Sequence, residues 1–482
     1  MRQINTYLLH PRARKNREKM VKMDLYLNIK QKSKELIQTD TMKKDKAKIL
    51  VIGYGNIGSI IVEKLLSNNL QVALFDKEYI TRPTNSKNLQ VLYSKKTFLE
   101  LLKSVPIIFL CLPSGKPTNM VFNQIQKISL NSPIVIDFGN SHFSNTDKII
   151  IESEKKNIKF LGIGISGGIQ AYKYGFALMV SGNYSAWKKT RSILKCLSAE
   201  YRKKNSLDYF GKESQGHFIK MIHNAIEYAY MQLITETINL LIQNLNLSLE
   251  IIQTIIQKKF STDSFLIDIT SKIILSKSKN FDEYLFNTAN NQTKDNGMGR
   301  WAVELATLHG VSIPTITYSL MQRFLSNQPG YKYFKAPKQT KNDFNSELIN
   351  IIFYGLEFCF FIAVVQGFSL MDISEKLYNK KIEYSKVLNV WQRGTILKSK
   401  LIDNLIKERK INSKNIMRIS LFQKRNIDKY RKYILEGNHK TSHITSIISA
   451  LSYFDCLSTH SLPTQLLQMQ RFYFGGHKLS EK

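Results

Sequence analysis

From Lys48 the chain reads KILVIGYGNIGSIIVEKLL: an apolar run, a glycine turn, then apolar residues at helical spacing. That order predicts strand, loop and helix. Four further short apolar runs follow, QVALFD from Gln71, PIIFLCLPSG from Pro106, SPIVIDFGNS from Ser132 and IKFLGIGISGG from Ile158. Each is set apart by a stretch long enough for a crossover helix. Strands alternating with helices in this way predict a parallel, doubly wound, Rossmann-like sheet over residues 47–210. Beyond Gly211 the pattern changes to long helical stretches, starting at His217, Ser264, Glu347 and His443, with few strand signals. The expected fold is therefore an α/β doubly wound domain, a large all-α domain over 211–462, and a short tail over 463–482. A lysine-bearing loop is expected near 328–342.

The run from Ile351 to Met371 approaches membrane-spanning length, yet it contains Glu357, Gln366 and two glycines, so it is expected to be a buried core helix. Residues 1–46 carry roughly +8 and lack the apolar stretch of a secretory signal, and are expected to form a disordered basic extension. The whole chain of 482 residues has 43% hydrophobic residues, which excludes a mainly disordered protein. Its formal charge of +33 favours phosphate-bearing partners. Abundant Lys, Ile and Asn resemble the imprint of an AT-rich genome, so nucleic acid is not the expected partner. The four cysteines, Cys111, Cys196, Cys359 and Cys456, lie far apart, which fits a reducing, cytoplasmic setting with the cysteines as small apolar residues, organellar import staying open. No metal cluster is expected.

Gly53-Tyr54-Gly55-Asn56-Ile57-Gly58 matches G-x-G-x-x-G between a strand and a helix, where glycines permit a tight turn and close approach of a pyrophosphate. Asp76 ends the second strand. Its carboxylate would accept from a ribose hydroxyl of NAD and repel the extra phosphate of NADP, whereas Lys77 would favour that phosphate. The alternative is that Asp76 only caps the next turn. In GHFIKMIHNAIEYAYMQ, Lys220, His223, Asn224 and Glu227 stand at i, i+3, i+4 and i+7, so one helical face collects an amine, an imidazole, an amide and a carboxyl. A solvated ion pair is the plain alternative for Lys220 and Glu227.

This segment resembles the signature helix of the 6-phosphogluconate dehydrogenase family, the decarboxylating enzymes of the pentose phosphate pathway within the β-hydroxyacid dehydrogenases. The resemblance continues in order from about residue 48 to the end, through IDFGNS, GISGGIQAYKYG, NGMGRW, RFLS, VVQGF and MQRFYFGGH. It implies oxidative decarboxylation of 6-phosphogluconate, a phosphorylated sugar acid, to ribulose 5-phosphate and CO2, with NADP or NAD reduced. By resemblance Lys220 is the general base and Glu227 the general acid. Asn140, His223, Asn224 and Tyr228 contact substrate, Ser166, Gly167 and Gly168 face its carboxylate, and Arg323, Arg471 and His477 complete the site. Asn140 also borders the cofactor. A homodimer is implied, with the tail reaching the partner subunit.

The chemistry suits these residue types. Removing a proton from a secondary hydroxyl as hydride leaves the same carbon needs a base that is neutral at working pH, and a desolvated lysine serves. The enediol left after loss of CO2 needs a proton from an acid held neutral by burial. The chain also departs from the family. Asn296 and Met298 stand where relatives carry Lys and Thr toward the phosphate, with Lys294 nearby; Asp76-Lys77-Glu78 replaces Asn-Arg-Thr of NADP-dependent members; Ile169 replaces an acid; and the tail is short. These departures keep two other readings in view: a relative acting on a different or unphosphorylated hydroxy acid, and a degenerate homologue that binds RNA.

Overall fold

The computed structural model describes residues 48–478, apart from residues 79, 81–83, 261–263, 279–282, 291, 329–345, 409–410, 412–415, 417–420 and 437–442. The basic extension and almost all of the lysine-bearing loop expected near 328–342 lie outside the described residues.

Among the described residues ten strands form: β1 (Ile49–Ile52), β2 (Val72–Phe75), β3 (Leu89–Val91), β4 (Ile107–Leu110), β5 (Ile134–Asp137), β6 (Lys159–Ser166), β7 (Ala177–Gly182), β8 (Glu200–Tyr201), β9 (Lys204–Asn205) and β10 (Leu207–Gly211). Eight make one sheet in the order β10-β7-β6-β5-β4-β1-β2-β3, while β8 and β9 form a separate hairpin. Strands β1 and β5 are buried along their whole length because helices cover both faces, which is why they read as unbroken apolar runs.

The sheet is not wholly parallel. β6 pairs antiparallel with β7, and β10 then runs parallel to β7. β3, β7, β8, β9 and β10 are not among the five expected strands. β3 is three residues long and mixed in polarity, and Ala-Leu-Met-Val-Ser-Gly of β7 follows β6 after too few residues for a crossover helix, so a tight antiparallel return was its only route.

The 29-residue site helix Gln215–Gln243 begins four residues after β10 and packs on β6 and β7. Helices Met298–His309, Pro314–Asn327, Ser346–Met371 and Thr445–Ser458 surround it. The apolar Ser346–Met371 is the one described helix long and apolar enough to cross a membrane, and 72% of its most apolar window is buried in the protein. Gln366 on it is satisfied: its Oε1 accepts from Ile316 N (3.2 Å) and its Nε2 donates to Thr315 Oγ1 (2.9 Å). Of the cysteines, only Cys359 belongs to the buried class; Cys456 is exposed.

Candidate active site

In parallel strands β1, β4, β5 and β6 all carboxyl ends fall on one edge, so the Gly53 turn, Asn140 and Ser166 emerge along the same rim. At Gly53, with φ +104°, an added Cβ would stand 2.3 Å from the Cys111 carbonyl oxygen, and one on Gly58 would stand 2.1 Å from that of Gly53. Both glycines are required by protein packing. Gly55 differs: no atom lies within 4 Å of its Cβ position. It faces open space at the start of helix Asn56–Ser67, which has no side-chain cap, so free amides and the positive helix end point outward. Asn56 is exposed and Ile57 half-buried there. A dinucleotide phosphate fits this cradle.

Asp76 holds the loop itself. Its Oδ2 accepts from Tyr54 N (2.7 Å) and its Oδ1 from Glu78 N (2.9 Å), so the turn-capping role is real and ties the glycine turn to the end of β2. Lys77 projects outward, 3.9 Å from Glu78 Oε1.

The site helix reaches the sheet through glycines. A Cβ on Gly164 would lie 2.3 Å from Gly216 O and 2.6 Å from Lys220 Cβ. This contact seats the polar face against β6. Lys220, His223 and Asn224 are buried, and the Glu227 side chain is 16% exposed, so the solvated-pair alternative does not describe them.

His223 is the hub. Its Nε2 lies 3.3 Å from Ser166 Oγ, and its Nδ1 lies 3.1 Å from Asn224 Oδ1, 3.5 Å from Lys220 Nζ and 3.8 Å from Glu227 Oε2. Because the amide oxygen only accepts, Nδ1 carries the ring proton and Nε2 takes the serine hydroxyl. Burial, reinforced by the Lys220 charge, holds this imidazole neutral well below its ordinary range. Burial also lowers the Lys220 amine to about 8, opposed by Glu227. The Glu227 carboxyl is raised by burial, with Lys220 and Arg323 opposing. One helix face thus holds an ammonium that gives up its proton more readily beside a carboxyl that keeps its proton more readily.

Tyr228 links this face to the 293–301 segment. Its hydroxyl lies 2.9 Å from Asn296 Oδ1 and 3.2 Å from Asp295 Oδ1. Asn296 Oδ1 also accepts from Met298 N (3.2 Å), while Met298 itself is fully buried. Neither position offers a free cation or hydroxyl, and Lys294 is exposed. The Arg323 guanidinium lies 3.9 Å above the Tyr228 ring and donates to Lys294 O.

Ser166 is buried, whereas Gly168 and Asn140 are exposed on the rim and Gly167 is half-buried. Ile169 is 72% exposed. Arg471 and His477 are not gathered with Lys220: they sit on or just after helix Gln465–Gly475, in a stretch where residues 455–478 are all exposed.

Other side chains support the site. Asp137 at the end of β5 accepts from Gly139 N (2.8 Å) and Ser141 Oγ (2.7 Å), shaping the loop that carries Asn140. Trp391 packs edge-on to His223 at 5.5 Å between ring centroids. Asp295 accepts from Gly297 N (2.9 Å) and Arg300 Nη2 (3.0 Å). Asp295-Asn296-Gly297 is a legible turn signal; Trp391, 168 residues from His223 in the chain, had none.

Two family models match the chain: the NAD binding domain of 6-phosphogluconate dehydrogenase over residues 48–211, and the 6-phosphogluconate dehydrogenase C-terminal domain over residues 216–482. The chain is 28% identical to the decarboxylating 6-phosphogluconate dehydrogenase of Buchnera aphidicola subsp. Schizaphis graminum, covering 90% of this chain and 95% of that protein. It is likewise 28% identical to two Bacillus subtilis proteins, the NAD(+)-dependent enzyme (89% and 95% covered) and the NADP(+)-dependent one (90% and 96%). The solved structure of Plasmodium falciparum 6-phosphogluconate dehydrogenase superposes with a TM-score of 0.79 at 23% identity, over 90% of this chain and 98% of that one. Its fold is the same. With both halves of the fold matched in order along its length, the chain belongs to the 6-phosphogluconate dehydrogenase family.

Proposed function

We propose that the chain is a decarboxylating 6-phosphogluconate dehydrogenase, converting the phosphorylated sugar acid to ribulose 5-phosphate and CO2 with NADP or NAD as oxidant. One observation carries this reading: Lys220, His223, Asn224 and Glu227 are buried together on one helix face against Ser166, with the amine and carboxyl shifted toward each other's range. The cofactor supplies the hydride acceptor, and the Gly53–Gly58 turn with Asp76 would hold it.

In this reading Lys220, neutral in a useful fraction near pH 8, removes the proton of the substrate's 3-hydroxyl as the hydride leaves. The resulting 3-keto acid loses CO2 as the protonated Lys220 amine, with Asn224 and His223 around it, stabilises the charge growing on the carbonyl oxygen. Glu227, whose carboxyl burial raises so that it holds a proton more readily, gives that proton to the carbon that lost CO2. Ser166, Gly167 and Gly168 would take the carboxylate, Asn140 and Tyr228 the sugar hydroxyls, and Arg323 the phosphate.

The proposal includes a homodimer. Leu466, Leu467, Met469, Phe472, Tyr473 and Phe474 are exposed on the tail helix, while a cleft of about 580 Å³ lined by Ile234, Ile238, Leu266, Ile273 and Phe286 lies beside the site helix. A tail from a second copy would cover both apolar surfaces and carry Arg471 and His477 toward the phosphate end of the neighbouring site. A cytoplasmic setting belongs to the same reading, supported by four free cysteines.

Assay of the purified chain with 6-phosphogluconate and each nicotinamide cofactor tests the reading; no CO2 release with either would sink it. The buried Met298 and the engaged Asn296 favour one second reading, a smaller or unphosphorylated hydroxy acid. Faster turnover of gluconate or 3-hydroxyisobutyrate than of the phosphorylated acid would establish that instead.

A further inference from the structure

A cavity of about 200 Å³ lies behind the Ser166-Gly167-Gly168 turn, lined by Gly167 and Gly175 on one side, helix Phe265–Ile273 on another, and the 393–398 segment on the third. Three of its lining side chains are cations, Lys272, Arg393 and Lys398, against one acid, Asp268. Among the described residues none of the three cations is in an ion pair, and Arg393 instead lies 5.2 Å from the Tyr174 ring centroid and 5.9 Å from that of Tyr201. Three cations lining one concavity give it a positive potential that an anion would neutralise. The Tyr174 phenol registers the same field: the neighbouring Lys173 lowers its pKa most, and Arg393 and Lys272 add to it.

We propose that this cavity binds a phosphate group, as inorganic phosphate or as a phosphate monoester, and that its occupancy is felt at the substrate turn. A compact anion matches a space of this size, and the guanidinium of Arg393 with two ammonium groups supplies the charge-assisted donors it needs. The cavity is distinct from the site around Lys220 yet shares Gly167 with it. A Cβ on Gly167 would meet Gly394 O at 3.1 Å, and Ala177 N donates to that same carbonyl (3.3 Å). Trp391, two residues before Arg393, packs on His223. An anion drawing Arg393 and Lys398 inward therefore acts on the two elements that hold Ser166 and His223, which is the physical link that coupling requires.

Calorimetric titration of the full chain with inorganic phosphate tests the site and does not depend on the proposed reaction. We expect at least tenfold weaker phosphate binding in the Lys272→Ala/Lys398→Ala double variant, retention in Lys272→Arg/Lys398→Arg, and retention of this site in Arg323→Ala, whose change lies in the other cleft. Binding by the alanine double variant within twofold of the unaltered chain would overturn the proposal, provided its circular dichroism is unchanged; if that variant does not fold, loss of binding in the arginine double variant would overturn it equally. The coupling rests on the dehydrogenase reading. Phosphate should change the kcat of the unaltered enzyme for 6-phosphogluconate at least twofold at saturating substrate, and leave that of the alanine double variant unchanged. Purely competitive inhibition in both would overturn the coupling.

Discussion

Gly164 and Lys220 meet so closely that β6 can carry no side chain at that point: a Cβ there would stand 2.6 Å from Lys220 Cβ and 2.3 Å from Gly216 O. The distance between strand and site helix, and with it the depth at which the amine is buried, is set by this missing methyl. Gly164→Ala should push the helix outward, costing about 1–3 kcal/mol of stability as overpacking does. It should also admit water to Lys220 and lower kcat/KM by at least tenfold. Urea unfolding read beside steady-state kinetics checks both, and wild-type activity in a folded variant would refute the dependence.

Lys220→Met should separate activity from stability. Loss of the base is expected to lower kcat by about 10²–10⁴-fold. Stability at pH 7 should stay level or rise, because an amine whose charged form is disfavoured by burial is replaced by an apolar chain of similar length. A variant that unfolds more readily than the parent would show that the amine contributes to the fold.

The pH dependence follows with its sign. Lys220 is lowered from 10.5 to about 8, so between these values the unfolded chain holds a proton that the folded one has released, and stability rises with pH across that window. The rise is about 3 kcal/mol at most, and Lys220→Met should abolish it. The kcat/KM profile should climb as pH approaches 8. Since the Glu227 charge raises the Lys220 value, Glu227→Gln should move that limb to lower pH while reducing kcat. A limb that stays in place or moves upward would contradict the pairing.

Asp76→Asn bears on cofactor choice. The Asn side chain can still accept from Tyr54 N, but it carries no charge to repel a 2′-phosphate. The ratio of kcat/KM for NADP over NAD should rise at least tenfold. An unchanged ratio would mean that the carboxylate serves the loop alone.

If the tail crosses to a second subunit, two crippled chains should repair each other. Lys220→Met and Arg471→Ala homodimers should each be inactive or nearly so. Hybrids formed by co-expression place an intact Lys220 beside an intact tail Arg471 at one of two sites, and should recover up to half of the native activity per dimer. No recovery in verified hybrids would place Arg471 in its own subunit's site, or in none.

The amino-acid sequence by itself carried the glycine turn, the run of parallel strands, the long helices and the polar face of the site helix. Each is a local pattern whose period or spacing survives without knowledge of the neighbours. It also carried the membership of Ile351–Met371 in the core, because a run interrupted by Gln366 needs protein partners, and Thr315 and Ile316 supply them. What tertiary structure decided depends on atoms distant in sequence. The reversal at β7, the seating of Lys220 by Gly164, the edge of Trp391 against His223 and the engagement of Asn296 by Tyr228 all join elements tens to hundreds of residues apart. The lysine was readable as a residue, but its conversion into a base near pH 8 was not, since desolvation belongs to the packed interior around it and to no position in the chain.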